Sequence, residues 1–272
     1  MGHFDNILLV SDFDGTLIGP DGLISQQNIR AINDFVDAGG HFAGATGRTE
    51  SNVQPYLAGL PLVTPWILYN GAAIYDLEKD AFSYRGPLDQ ASIRSFIVQV
   101  MTCLPEINVQ IFPGGPFWQV NPQALPDKVV VRENQQFIDA SIEEVPEPWL
   151  KVLFCSDDPD QIRAVEVMFD QSSLVGTVHK TRSGLRYFEL MAQGVNKGAA
   201  LAQLKAMLGF KPRCVVAIGD YRNDIEMLIA ADVAAAPESA LPEVKALAKI
   251  ITRCHSEHAL ADLLQQLPAY LG

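Results

Sequence analysis

The sequence predicts an α/β protein whose core is a doubly wound, Rossmann-like parallel sheet with an inserted α/β cap domain, on three observations. Two short runs, Ile7–Val10 and Cys214–Ile218, are apolar without alternation, as in parallel strands covered on both faces. Strand-like and helix-like segments alternate toward both ends of the chain. The middle of the chain has a different pattern, with a Pro-Gly-Gly-Pro loop among strand-like segments. We therefore expect core parts at 1–84 and 188–272 and the cap domain at 85–187.

The first part of the core opens with the strand Ile7–Val10. Ser25 is expected to cap the following helix, whose apolar stripe runs from Ile29 to Val36 and which ends at Gly39-Gly40. The next expected elements are a strand at His41–Ala45, a short helix at Ser51–Leu57 and a third strand at Trp66–Tyr69. A right-handed parallel sheet is the natural arrangement of such strand–helix–strand units.

The expected cap domain begins with a helix and ends with a strand–helix–strand group. Its elements are a helix at Leu88–Leu104, strands at Ile107–Phe112, Phe117–Val120 and Leu150–Cys155, a helix at Pro159–Phe169 and a strand at Leu174–Lys180. The second part of the core is expected to contain a helix from Lys197, the strand Cys214–Ile218, a helix from Asn223, a strand near Val233 and closing helices up to Leu267. We place the ligand site where the core strands end.

Composition excludes several classes of protein. The 272 residues are 48% hydrophobic and 19% charged, as in ordinary globular proteins. No secretory signal and no membrane-spanning run is recognisable, so the cytoplasm is the expected location. The four cysteines form no CxxC pair, which argues against structural zinc. A net charge of −12 without a basic run argues against nucleic acid and anionic membrane as partners.

The first candidate motif is Asp12-Phe13-Asp14-Gly15-Thr16, directly after the first strand. Two carboxylates two residues apart in an extended segment point to the same side. One of them can attack phosphorus while the other handles the proton of the leaving oxygen. An acidic turn is the alternative interpretation. We favour the catalytic one because this combination of residues rarely arises by chance.

Three further motifs follow other strands or open a helix. Thr46-Gly47-Arg48 offers a hydroxyl and a backbone N–H to a phosphate oxygen. Taken alone, this motif is most often just a turn, but its position at the end of a strand favours the phosphate contact. Lys197 would enter the first turn of a helix, where a cation is mildly disfavoured unless an anion lies beside it. Asp220 supplies a carboxylate opposite Asp12 for Mg²⁺, and Asn223 can donate to phosphate. Asp224, one turn further on, can orient Lys197 or a metal-bound water.

Together the motifs DFDGT, ATGR, GVNKG and GDYRND, in this order, resemble those of the haloacid dehalogenase superfamily. Asn70-Gly71-Ala72 and the position of the large insertion resemble its Cof-type sugar phosphatases. The resemblance implies that Asp12 is the nucleophile and Asp14 the general acid and then base. It also implies a magnesium site and a phosphate site. The Mg²⁺ ligands would be Asp12, the backbone carbonyl of Asp14, and Asp220; the phosphate contacts would be the N–H of Phe13, Thr46 with Gly47, Lys197 and Asn223.

The expected function is therefore a Mg²⁺-dependent phosphatase that acts on small phosphorylated metabolites, such as sugar phosphates, through an aspartyl-phosphate. One alternative is a phosphomutase acting on a hexose phosphate, which would need a second phosphate site in the cap domain. Another is a non-catalytic sensor of phosphometabolites, against which the presence of both Asp12 and Asp14 argues. The sequence decides neither the individual substrate nor the oligomeric state.

Three residues are expected to contact the substrate: Arg48, Phe117 and Trp118. The last two belong to a loop, Phe112–Trp118, whose prolines and glycines fix its shape. Such a loop could close over the active site and select the leaving group. The alternative is a tight hairpin whose aromatic rings pack within the cap domain.

Overall fold

The computed structural model describes residues 3–271, and the chain divides into two compact units. The second unit is Arg85–Val195, and the first comprises the described residues on either side of it. The structure contains a parallel sheet and two further sheets, which confirms the predicted α/β class. None of the helices in residues 3–271 is both long and apolar enough to cross a membrane.

Strands occur throughout the chain. In chain order they are β1 (Ile7–Ser11), β2 (His41–Gly44), β3 (Trp66–Leu68), β4 (Ala73–Asp76), β5 (Ala81–Arg85), β6 (Asn108–Phe112), β7 (Phe117–Gln119), β8 (Phe137–Asp139), β9 (Lys151–Cys155), β10 (Val178–Thr181), β11 (Tyr187–Ala192), β12 (Cys214–Ile218), β13 (Val233–Pro237) and β14 (Ile250–Thr252).

The α-helices are mostly short. They are α1 (Gln26–Asp37), α2 (Glu50–Val53), α3 (Gln90–Cys103), α4 (Lys128–Arg132), α5 (Pro159–Asp170), α6 (Lys197–Met207), α7 (Ile225–Ala230), α8 (Pro242–Lys245) and α9 (Ala259–Gln266). As predicted, the Ser25 side chain caps α1, where it accepts the N–H of Asn28.

The first unit is built on a parallel sheet with strand order β14-β13-β12-β1-β2. All residues of β1 and most of β12 are buried, as their uninterrupted apolar runs predicted. Ser11 at the end of β1 pairs with Ile218 at the end of β12. The segments after these two strands therefore leave the sheet side by side.

Among the described residues, the third expected strand is linked to this sheet by only one bridge. Trp66–Leu68 pairs antiparallel with β4 in a separate sheet of order β3-β4-β5, and a single bridge between Ala45 and Ile67 links it to the segment after β2. This bridge is parallel, which agrees with the predicted direction of the third strand. The antiparallel pairing with β4 was not predicted, because three apolar residues reveal burial but not which strands pair. The strands β4 and β5 were not predicted.

The second unit contains a six-stranded sheet of order β10-β11-β9-β6-β7-β8. Its pairs are antiparallel except β7 with β8. Buried side chains of α3 and α5 pack with Val109, Val152 and Phe188 in one apolar cluster. Strand β11 is an inner strand of this sheet, whereas the expected cap domain ends at 187. The omission arose because the apolar run of β11 leads directly into the motif around Lys197.

Candidate active site

The candidate site lies at the carboxyl edge of the parallel sheet, where β1 and β12 end. Asp12 follows β1 directly, and its backbone N–H donates to the carbonyl of Ile218 at 2.9 Å. Asp220 follows β12 after one glycine. Because paired parallel strands end together, the sheet brings these two carboxylates into one place. This is the arrangement expected from sequence.

Lys197 connects two of the site's carboxylates. Its Nζ lies 2.6 Å from Oδ1 of Asp12 and 2.6 Å from Oδ1 of Asp224, and its side chain has no exposed surface. Lys197 is the first residue of α6, and Asn196 caps that helix by accepting the N–H of Ala199 at 2.7 Å. Two carboxylates of the chain itself therefore accompany the lysine in the first helical turn, and a bound anion beside it remains a prediction.

Asp224 uses both of its carboxylate oxygens within the protein. Oδ1 accepts from Lys197, while Oδ2 accepts the backbone N–H groups of Asp220 at 3.0 Å and Tyr221 at 3.1 Å. This side chain therefore fixes the turn that carries Asp220. It holds Lys197 and the turn together.

The carboxylates strongly affect one another's ionisation. Burial, followed by the nearby Asp224 carboxylate, raises the pKa of Asp12 to about 7. Burial, and then the charges of Asp12 and Asp224, raise the pKa of Asp220 to about 9. Burial alone would lower the pKa of Lys197, but its two carboxylate partners outweigh that effect and raise it. The site thus holds more negative charge than one lysine neutralises.

The geometry fits a hard divalent cation. Asp12, Asp220 and Asp224 each offer a carboxylate oxygen, and these atoms all lie within 4.8 Å of one another. Since both oxygens of Asp224 are already engaged, Asp12 and Asp220 remain as direct ligands. Oδ2 of Asp12 is buried, and no hydrogen-bond donor of the described residues reaches it. Oxygen ligands with a net negative charge suit Mg²⁺.

Gly15 allows the first motif to approach Asp220. Its φ is +85°, and a Cβ at this position would lie 2.6 Å from Oδ2 of Asp220. A side chain would therefore both strain the backbone and displace the carboxylate. This close approach keeps the backbone next to Asp14 at the carboxylate cluster.

The second motif and Asn223 meet around Asn70. Thr46 is buried, and its Oγ1 accepts the N–H of Arg48 at 3.1 Å, which leaves the hydroxyl proton for another acceptor. Asn223 donates from Nδ2 to Oδ1 of Asn70 at 3.0 Å. Asn70 has φ of +55° and donates its backbone N–H to the carbonyl of Thr46. A Cβ on Gly47 would lie 3.0 Å from the Asn70 amide. Three of the predicted phosphate contacts, Thr46, Gly47 and Asn223, thus share Asn70 as a neighbour.

Asp14 is paired with Arg48. Nε of Arg48 donates to Oδ2 at 2.9 Å and Nη2 to Oδ1 at 2.8 Å. Between Asp12 and Asp14, the buried Phe13 ring packs edge-on against Tyr56 and Trp66, with ring centroids 5.4 Å and 5.8 Å away. The ring anchors the backbone on which both carboxylates stand.

The two aromatic residues expected to contact substrate lie in β7 of the second unit. Phe117 is buried and stacks between Phe112, at 5.3 Å, and Phe137, at 5.6 Å. Trp118 packs against the apolar cluster beneath α3 and α5. Because neighbouring strand residues point to opposite faces, these two side chains cannot line the same surface. A contact of either with substrate remains a prediction.

Sequence reasoning did not find the Asn70–Asn223 hydrogen bond or the Arg48–Asp14 pair. Asn70 was noted only for its resemblance to a family motif, and Arg48 only as a contact to substrate. A usable signal for Asn70 was the Asn-Gly pair after a buried strand, since asparagine tolerates positive φ. The Arg48 pair had no local signal because its partner is 34 residues away.

Comparison with known proteins gives a consistent result. The family model described as haloacid dehalogenase-like hydrolase matches residues 9–264. The chain is 28% identical, over 95% of its length and 94% of the relative's, to a 5-amino-6-(5-phospho-D-ribitylamino)uracil phosphatase of Bacillus subtilis, YcsE. A second such phosphatase of that organism, YwtE, is 27% identical, over 94% of this chain and 96% of its own.

Solved structures share the fold. A haloacid dehalogenase-like hydrolase from Bacteroides thetaiotaomicron superposes with a TM-score of 0.82 at 23% identity, covering 97% of this chain and 100% of its own. The subclass IIB sugar phosphatase BT4131 gives a TM-score of 0.78 at 19% identity, covering 96% and 98%. At these identities the likeness establishes the fold, and the family model confirms the resemblance to the haloacid dehalogenase superfamily.

Proposed function

This chain belongs to the haloacid dehalogenase-like hydrolases, and from that premise we propose that it hydrolyses small phosphomonoesters with Mg²⁺, through an aspartyl-phosphate on Asp12. One observation carries the proposal. Lys197 holds Oδ1 of Asp12, while Oδ2 is buried and reached by no donor of the described residues. An oriented carboxylate oxygen without a hydrogen bond is a good nucleophile, because no hydrogen bond must be broken before it attacks.

In the proposed first step, Oδ2 of Asp12 attacks phosphorus and the bond to the leaving oxygen breaks. Lys197 stabilises negative charge on the transferring group from a site where water is excluded. The hydroxyl of Thr46, the N–H groups of Phe13 and Gly47, and the amide of Asn223 would orient the phosphate oxygens. Asp14 gives a proton to the leaving oxygen.

In the second step, water attacks the phosphorus of the aspartyl-phosphate. Asp14, now ionised, takes a proton from that water, and Asp12 is released as a carboxylate. Asp224 contributes by fixing Lys197 and the Asp220 turn. Mg²⁺ would be held by the carboxylates of Asp12 and Asp220 and the backbone carbonyl of Asp14, and when bound it would neutralise charge on the phosphate.

Hydrolysis is favoured over a mutase reaction by the ion pairs of the second unit. A mutase would need a second cationic phosphate site there. Of the nine Lys and Arg residues in Arg85–Val195, seven are paired with carboxylates: Lys128, Arg132, Lys151, Arg163, Lys180, Arg182 and Arg186. Most cations of this unit are therefore already paired with carboxylates of the chain.

The substrate class is tested with a panel of phosphate esters. It contains sugar phosphates, because of the solved sugar phosphatase, and 5-amino-6-(5-phospho-D-ribitylamino)uracil, because of the named relatives. Phosphate release is measured with Mg²⁺ and with EDTA. The proposal expects release from at least one member that EDTA stops and Mg²⁺ restores. Transfer of phosphate to a second position of the substrate would favour the mutase, and equal release in EDTA would refute the role of the metal.

A further inference from the structure

Arg48 and Asp14 form a pair in which the arginine is the fixed partner. The Arg48 side chain is only 13% exposed, whereas that of Asp14 is 55% exposed. An aspartate so open to water can adopt several rotamers at little cost. Two parallel N–H···O bonds from a guanidinium restrict the aspartate to one rotamer, because the planar guanidinium fits the carboxylate in a single orientation.

The guanidinium is itself held from other sides. Nη1 lies 3.4 Å from both the carbonyl of Asn52 and the hydroxyl of Tyr56. Its central carbon lies 4.9 Å from the centre of the Tyr56 ring and 5.6 Å from that of Phe13. Such cation–π contacts fix the plane of the guanidinium. Phe13 lies between Asp12 and Asp14 in the sequence. The contacts with Phe13 and Tyr56 therefore set the direction of the Arg48 guanidinium relative to both carboxylates.

We propose that Arg48 is a positioning residue that aims the carboxyl group of Asp14 at the leaving oxygen and at the attacking water, and that it acts through Asp14 rather than on the substrate. The inference rests on the proposed function, in which Asp14 transfers both protons. With its fork engaged by Asp14, Arg48 cannot grip a substrate phosphate in the same bidentate way.

The proposal predicts which kinetic constants depend on Arg48. The ratio kcat/KM reports the steps up to departure of the leaving group. The leaving oxygen of an alkyl phosphate must be protonated as it departs, whereas that of p-nitrophenyl phosphate need not be. Arg48→Met should therefore lower kcat/KM for an alkyl phosphate about 10-fold to 100-fold, the cost of a misplaced catalytic group. For p-nitrophenyl phosphate kcat/KM should change less than about threefold, while kcat and KM fall together because hydrolysis of the common aspartyl-phosphate slows.

The decisive experiment is a double-mutant cycle of Arg48→Met with Asp14→Asn, measured as kcat/KM on both esters. If Arg48 acts through Asp14, adding Arg48→Met to Asp14→Asn should change kcat/KM less than about threefold. Arg48→Lys, which keeps the charge but not the fork, should resemble Arg48→Met on the alkyl ester. Arg163→Met, which breaks an exposed ion pair in α5, serves as the control and should leave both constants unchanged.

Two outcomes would overturn the inference. If Arg48→Met lowers kcat/KM equally for both esters, and by the same factor again in the Asp14→Asn background, Arg48 contacts the substrate directly. If Asp14→Asn itself leaves turnover of the alkyl phosphate intact, the proposed function fails together with the inference. Far-UV circular dichroism and the melting temperature of each variant establish that a loss is not unfolding, and Arg48→Lys supplies the second test should Arg48→Met fail to fold.

Discussion

The ammonium group of Lys197 lies 2.6 Å from Asp12, and neither side chain is more than 7% exposed. The same ammonium group contacts Asp224 at 2.6 Å. A cation buried between two carboxylates offsets part of the negative charge of each. Its removal should therefore affect the stability of the fold as well as activity.

Lys197→Met should lower the free energy of unfolding by about 3–5 kcal/mol at neutral pH without metal, since it leaves two buried carboxylates without their cation. The loss should shrink in acid, where Asp12, whose pKa is raised to about 7, takes up a proton. Lys205→Met, on an exposed position of the same helix, should change the free energy by less than about 0.5 kcal/mol. Denaturant unfolding measures both, and equal values for the two variants would contradict the role given to Lys197.

Gly15→Ala should inactivate the enzyme, because the added Cβ would meet Asp220 at 2.6 Å. The positive φ should in addition lower the free energy of unfolding of this variant by about 1–2 kcal/mol. Gly22→Ala is a matched control, with φ of +76° but no atom within 4 Å of the added Cβ. Gly22→Ala should lose a similar amount of stability through its positive φ but remain active. Similar activities of the two variants would show that the close approach to Asp220 is unimportant.

Mg²⁺ should stabilise the protein more at about pH 8.5 than at about pH 6. The pKa of Asp220, raised to about 9, means that the folded protein keeps a proton there that the unfolded chain has lost. Without metal, the contribution of Asp220 to the free energy of unfolding therefore falls as pH rises from about 4 toward 9. Mg²⁺ must displace that proton, so its binding strengthens over the same range.

The measurement is the shift in melting temperature on adding Mg²⁺ at the two pH values. Asp220→Asn should abolish the shift, because an amide replaces the carboxylate ligand. At the higher pH without metal, this variant should melt above the native protein, since it carries no buried charge at that position. A shift that is independent of pH, or one that survives in Asp220→Asn, would rule out Asp220 as a ligand.

Of the two aromatic residues predicted to contact substrate, Phe117 is the better candidate, because Trp118 packs on the apolar cluster. Phe117→Ala should change the ratio of activities among the larger substrates of the panel about threefold to tenfold, with a small phosphate ester still cleaved. It should also lower stability, because the ring is buried between two other rings. Trp118→Ala, which removes a side chain packed on the apolar cluster, should chiefly lower stability, by about 2–4 kcal/mol. Proportionate losses for large and small substrates in Phe117→Ala would exclude a role in specificity.

The sheet that carries the site could be predicted because its strands have a strong local signature. Ile7–Val10 and Cys214–Ile218 are buried on both faces, so their apolar runs are unbroken, and chemistry placed just after them falls at one edge. Trp66–Leu68 shows the limit of this reasoning. Its burial was predicted, but its antiparallel pairing with β4 depends on a turn at Tyr69–Gly71 that periodicity does not reveal.

The residues of the candidate site could be predicted from sequence, but their hydrogen-bond partners were harder to predict. The motifs identified Asp12, Lys197 and Asp224, which the structure places in contact. They could not show that Asn223 bonds to Asn70, a residue 153 positions away in the sequence. Such pairs depend on side-chain directions at elements far apart in the chain. Residue type and spacing contain no information about those directions.

The central claim is that Asp12 receives the phosphoryl group, and trapping the phosphorylated enzyme tests it most directly. Asp14→Asn should form the aspartyl-phosphate from p-nitrophenyl phosphate, whose leaving group needs no proton, but hydrolyse it slowly. Acid quenching followed by peptide mass spectrometry should then find one phosphoryl group on Asp12. Asp12→Asn should carry none and lose at least about a thousandfold in kcat. A phosphoryl group on any other residue, or turnover by purified Asp12→Asn near the native rate, would contradict the claim.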